Sequence, residues 1–218
     1  MKHIKIFDSF LLESSPPSDK VIFSIVPSTS DFPVKKNMEE LGIPYALNWF
    51  DDPDMEEKFH SSIDRIAGVI IHGGPLESFS QLGQIPKSIL ESTIPKLGIC
   101  LGMEVMGVNL GAKLIEAKES SENPGKNKFS IAKCKLDDCL LFEGIGELPG
   151  IYRVPFSHKY ILGSKPSKVE IIASSMETPI AGIYHKETNS YGVQFGIANT
   201  LIGGKILSNF YRKICRSN

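Results

Sequence analysis

Lys96-Leu-Gly-Ile-Cys-Leu-Gly-Met-Glu-Val-Met-Gly107 is the stretch on which the reading of this chain turns. An apolar run over 97–101 meets two glycines, Gly98 and Gly102, that flank Cys100. Behind it Met103, Val105, Met106 and Leu110 recur at helical spacing. Strand, tight turn and helix in that order lift a nucleophile out of a parallel sheet into the mouth of a cleft. The glycines allow the turn and the close approach of a substrate. The start of the helix, with its free N–H groups and dipole, favours a thiolate over a thiol. The competing reading is a buried cysteine that ends a core strand.

Working outward, the residues before the elbow alternate between two textures. Residues 20–27 (Val-Ile-Phe-Ser-Ile-Val within them), 44–50 and 68–72 are apolar and β-branched and read as strands. Residues 32–41 read as a helix with Asp31 as cap, Pro33 near its first turn and Gly42 just past its end. Residues 54–65 and 87–93 read as further helices. Strands alternating with helices imply right-handed βαβ units and a parallel sheet. Downstream the chain turns to short strands, at 112–117, 129–136, 151–155, 169–174, 180–184 and 191–195. Lys186-Glu-Thr-Asn189 reads as a hairpin turn in which Asn189 takes a left-handed conformation. Residues 201–214 close the chain as an amphipathic helix with Ile202, Ile206, Phe210 and Ile214 on one face. The expectation is an α/β sandwich of three layers, its central sheet mostly parallel with an added antiparallel hairpin region. It forms one domain over 18–218, preceded by a 1–17 extension with a short strand at 4–7 and a Glu13-Ser-Ser-Pro-Pro loop.

The 218 residues are 41% apolar and 22% charged with a formal net charge of −1, enough for one α/β domain with a proper core. Balanced charge argues against a nucleic-acid footprint, and no stretch approaches the roughly 20 apolar residues of a membrane span. Cys100, Cys134, Cys139 and Cys215 fit neither a zinc pair nor a disulfide scaffold, which implies free thiols, no bound metal and a cytoplasmic setting.

Gly98-Ile-Cys-Leu-Gly-Met103, preceded by Ile70-Ile-His-Gly-Gly-Pro75 and followed by Tyr191-Gly-Val-Gln-Phe195, resembles the class I glutamine amidotransferases in order and spacing. The likeness runs from about residue 20 to the C-terminus. Phe156-Ser-His-Lys159 is similar to a Ser-His element in the amidotransferase subunit or domain of GMP synthetase. The resemblance implies a flavodoxin-like fold and hydrolysis of the glutamine amide by a Cys-His-Glu triad, with ammonia passed to a synthase partner. It implies no cofactor. Cys100 would be the nucleophile, and Glu104, Ser157 and His158 would contact the substrate. The residues themselves agree on the oxyanion: the Gly73-Gly74 turn and the N–H of Leu101 are suited to supply its donors. An ordinary strand-to-loop turn is the competing reading of Gly73-Gly74.

The chain then departs from the family pattern. Where the family continues Gly-Val-Gln-Phe with His-Pro-Glu, this chain reads Gly196-Ile197-Ala198, so the base and its orienting carboxylate are replaced by Gly196 and Ala198. The usual glutamine four residues after the nucleophile is Glu104, and His72 stands before the glycine pair. His72 and His158 are candidate surrogate bases, each weighed against a pocket-lining role. His185, His3 and His60 lack supporting context. Glu104 is either a base or an acid in the first turns of the helix whose charge raises the pKa of Cys100. Three functions stay open. They are a slow or inactive glutaminase, a ligand-binding or regulatory partner protein on the same fold, and another elbow-cysteine hydrolase of γ-glutamyl type. The chain has no Gly-x-x-x-x-Gly-Lys-Ser/Thr loop, so an ATP-pyrophosphatase-type step would belong to a partner on another chain.

Overall fold

The apolar runs lie side by side because each is too hydrophobic to leave either face in water. The computed structural model describes residues 20–27, 32, 34–74, 82–117 and 129–216. β1 (Val21–Val26), β3 (Ile66–Ile71) and β4 (Lys96–Ile99) are buried at every position, as strands covered on both faces must be. β2 (Tyr45–Trp49) alternates between buried and half-buried and forms an edge. Between them run α1 (Lys35–Glu40), α2 (Met55–Ser61) and α3 (Lys87–Glu91), and α4 (Leu101–Asn109) follows β4. Later come β5 (Leu114–Glu116), β6 (Phe129–Leu136), β7 (Gly150–Ser157), β8 (Tyr160–Leu162), β9 (Val169–Ser174), β10 (Gly182–His185), β11 (Ser190–Val193) and α5 (Leu201–Asn209).

Nine strands form one sheet in the order β2-β1-β3-β4-β11-β10-β9-β6-β7. The pairs from β2 to β11 are parallel; those from β11 to β7 are antiparallel. β11 therefore joins the two textures, pairing in parallel with β4 and antiparallel with β10. Successive residues of β1 and β3 point to opposite faces. Ile22 and Ile70 join a layer with Met38 of α1 and Ile206 of α5. Phe23, Ile25, Val69 and Ile71 join one with Phe59 of α2, Ile89 of α3 and Val105 of α4. The result is the three-layer α/β sandwich expected from the alternation, with the hairpin region added at one side. Among the described residues no helix is long and apolar enough to cross a membrane.

Several local readings differ. β8 was not legible, because a three-residue strand carries little pattern; it exists by pairing with β5 as a separate two-stranded sheet. The helix expected over 54–65 breaks at Ser62 into a 3-10 turn, Ile63–Arg65. The terminal helix loosens into a π-helical turn over Phe210–Ile214 while still burying Phe210 and Ile214. Asn189 takes the expected left-handed conformation with φ 46°, and Gly42, just past α1 as expected, has φ 64°. The strand at 4–7, the loop to residue 17, the Asp31 cap and Pro33 lie outside the described residues.

Candidate active site

β4 ends at the carboxyl edge of the sheet, where open α/β sheets place their ligands. Cys100 sits there with φ 52° and ψ −108°. That conformation costs a side-chain-bearing residue about 1–3 kcal/mol. Two bonds hold it: Cys100 N donates to the Val193 carbonyl at 2.8 Å, and Glu104 N donates to the Cys100 carbonyl at 3.1 Å to start α4. The helix can follow so abruptly only because its first turn packs against bare backbone. A Cβ on Gly102 would collide with the Ile71 carbonyl oxygen, and one on Gly98 would lie 2.7 Å from the Gly102 backbone. Gly73 lies against Cys100, since a Cβ there would be 3.1 Å from the cysteine's own. Strand order thus brings the elbow and the Gly73-Gly74 turn together.

The half-buried cysteine has three polar neighbours at its sulfur. The N–H of Leu101 and Nε2 of Gln194, the latter at 3.7 Å, donate to the sulfur, and the sulfur donates to the Ser157 carbonyl at 3.7 Å. Gln194 Nε2 also donates to Oε1 of Glu104 at 2.8 Å. Gln194 and Glu104 are buried, and Gln194 Oε1 has no partner among the described residues. Burial, and then the charge of Glu104, push the Cys100 thiol up to about 12; the Leu101 and Gln194 donors pull the other way and lose. Burial also raises Glu104 to about 7, against the Gln194 bond. Here the structure corrects an expectation: the start of the helix does supply a donor, but desolvation outweighs it and Cys100 stays a thiol.

Of the residues expected to contact a substrate, Glu104 reaches the site as a buried acid, and Ser157 presents its backbone carbonyl while its side chain is exposed. The histidines are elsewhere engaged. His72 is buried, with its ring edge-on to Phe32 at 4.9 Å and Nε2 without a partner among the described residues; burial pulls its pKa down to about 3. The ring of His158 packs on Phe156 at 5.4 Å, and its Nε2 meets Thr178 Oγ1 at 3.4 Å. Burial lowers its pKa and Glu177 partly offsets that. Neither histidine is among the hydrogen-bond partners of the sulfur. His185 binds Thr188 Oγ1 at 2.7 Å in the β10–β11 hairpin, at the opposite edge of the sheet, and His60 lies on exposed α2 beside Glu56. Where the resemblance leads one to expect the base and its orienter, Gly196 N donates to the Pro155 carbonyl at 2.8 Å, and half-buried Ala198 packs on the main core. Sequence reasoning gave Gln194 no role of its own. The available signal was that it is the one polar residue in an otherwise apolar run leading out of β11.

Residues 32–214 match the family model described as glutamine amidotransferase class-I. Curated relatives include a glutamine-hydrolyzing GMP synthase from Alcanivorax borkumensis, 34% identical over 190 residues, and one from Pseudomonas fluorescens, 32% identical over 189 residues. Each match covers 84% of this chain and 34% of the relative, so the chain spans about a third of their length. Among solved structures, a GMP synthase subunit from Thermoplasma acidophilum superposes with a TM-score of 0.74 at 25% identity. That match covers 91% of this chain and 95% of the other.

Proposed function

The chain belongs to the class I glutamine amidotransferase family, and from that premise we propose that its cleft binds glutamine against Cys100 but hydrolyses it slowly. Within the family its likeness is to the GMP synthase amidotransferases. The observation that carries the proposal is the set of partners of the sulfur: two N–H donors and one carbonyl acceptor, with no base among the described residues.

In the forward step the Cys100 sulfur bonds to the carboxamide carbon and the C=O electron pair moves onto oxygen. The N–H of Leu101 and the amides of the Gly73-Gly74 turn are the donors for that oxyanion. Collapse expels ammonia and leaves a thioester that water hydrolyses to glutamate. The thiol proton must leave before attack and a proton must reach the departing nitrogen. Gly196 and Ala198 can do neither, and a base contributes roughly 10²–10⁴-fold. His72, neutral and with Nε2 unengaged among the described residues, is the nearer surrogate by sequence, with His158 behind it.

Residues 18–218 form the amidotransferase unit and 1–17 an extension. Ammonia released in the cleft would serve a synthase of ATP-pyrophosphatase type on another chain, in the cytoplasm. A second reading, a ligand-binding or regulatory protein without turnover, is favoured by the burial and the Glu104 charge that push the Cys100 thiol up to about 12. Ammonia release from glutamine, by the protein alone and with a candidate synthase, decides between them. Slow release abolished by Cys100→Ala supports the first reading, and none under either condition supports the second. Turnover in the ordinary enzymatic range, lost in His72→Ala or His158→Ala, would overturn both.

A further inference from the structure

The missing base does not account for the state of the nucleophile, because side chains that are present already hold it. Half-buried Cys100 and buried Gln194 and Glu104 form a chain of contacts at the carboxyl end of β4: sulfur to Nε2 at 3.7 Å, Nε2 to Oε1 at 2.8 Å. The Gln194 amide nitrogen carries two N–H groups, one for each acceptor, so it bridges the acid and the thiol. The bond to the Glu104 carboxyl oxygen, at 2.8 Å, fixes the amide beside the sulfur. On its other side the sulfur lies 3.7 Å from the Ser157 carbonyl, an acceptor that a thiol can use and a thiolate cannot. Glu104 cannot move away, being one turn along the same helix and anchored by Glu104 N to the Cys100 carbonyl.

We propose that Glu104, acting through Gln194, is a positioning residue that keeps Cys100 a neutral thiol directed at Ser157, so that the nucleophile is held off by its own helix. This rests on the reading of Cys100 as nucleophile but not on any turnover. Other titratable side chains on the elements around α4 are Lys96 on β4, Tyr191 on β11, Tyr160 on β8, Lys87 and Glu91 on α3, and His72 just past β3. Glu104 is the one whose charge bears on the sulfur.

The test is the rate of carboxamidomethylation of Cys100 by iodoacetamide from about pH 5.5 to 10, read by peptide mass mapping so that Cys134, Cys139 and Cys215 are scored apart. In the unmodified protein the rate should climb about tenfold per pH unit, flatten just above pH 7 as Glu104 ionises and opposes the thiolate, then climb again. Glu104→Gln keeps the acceptor for Gln194 and removes the charge. It should abolish the shoulder and speed alkylation at about pH 8.5 by about tenfold or more, the effect of one or more pKa units. Glu104→Asp, which keeps the charge, should retain the shoulder. A shoulderless profile in the unmodified protein overturns the proposal even if the variants fold poorly. So does a Glu104→Asp profile that matches Glu104→Gln. Glutamine turnover enters neither readout, so an inactive protein would refute the proposed hydrolysis and leave this inference standing.

Discussion

Ionising Glu104 is unfavourable where it lies, and folding stability must register that. Its carboxyl titrates at about 7 when folded and near 4.5 when free, so between those values the folded protein binds the extra proton. Stability therefore falls as pH rises through that window, by up to about 3 kcal/mol from this residue. Glu104→Gln removes the dependence: urea midpoints at about pH 5 and about pH 7.5 should show the variant gaining on the unmodified protein as pH rises. A gain independent of pH would contradict the burial of a titrating acid. Gly196 is the second residue to probe. A Cβ there would meet Pro155 at an ordinary 3.6 Å, so the first atom of a side chain is accommodated. Gly196→His with Ala198→Glu should raise ammonia release from glutamine by up to about 10²-fold, with Glu104→Gln adding roughly another tenfold. No gain in the triple variant would mean that the remainder of the cleft no longer accepts glutamine.

At the scale of elements, the site depends on how closely α4 approaches β3 and β4. Gly102→Ala drives a methyl into the Ile71 carbonyl and must push the helix away. The expected cost is about 3 kcal/mol in denaturant unfolding, with a loss of whatever alkylation selectivity Cys100 has, since its sulfur is carried on the same turn. A melting curve like that of the unmodified protein would show that the approach is looser than described. Lys96 anchors the other end of β4. Its buried ammonium donates to the Ser92 carbonyl at 2.5 Å, the Ser92 hydroxyl at 3.3 Å and the Ile94 carbonyl at 2.8 Å, tying the end of α3 to the strand. Lys96→Met keeps the stem and strands those carbonyls, so a loss of about 1–3 kcal/mol is expected in the same unfolding measurement.

For the whole molecule the proposal is an assembly. The likeness to GMP synthases, of which the chain spans about a third, supports the proposed synthase partner. Affinity capture of the full chain from its native source should recover a synthase-type protein. Adding that protein should raise ammonia release over the chain alone. Recovery of nothing above background, with release unchanged by any added fraction, would favour stand-alone function.

The sequence by itself determined what depends on local pattern: buried runs alternating with helices, the elbow at Cys100, the Gly73-Gly74 turn, and the left-handed Asn189 in its hairpin. Each of these follows from neighbours within a few positions, through periodicity, turn chemistry or the room a glycine leaves. That Gly196-Ile197-Ala198 follows the Tyr191-Gly-Val-Gln-Phe195 motif was also legible, since it needs no structure to read. Only the tertiary structure decided what stands around the sulfur. Gln194 and Glu104 are 90 positions apart, and Cys100 and Ser157 are 57 apart. They meet because β11 lies beside β4 and the end of β7 folds back over the cleft, and strand order is not a periodic signal. The charge state of Cys100 likewise belongs to its surroundings. A helix N-terminus alone argues for a thiolate, but burial and a fixed neighbouring acid outweigh one backbone donor, and both are properties of the packed cleft.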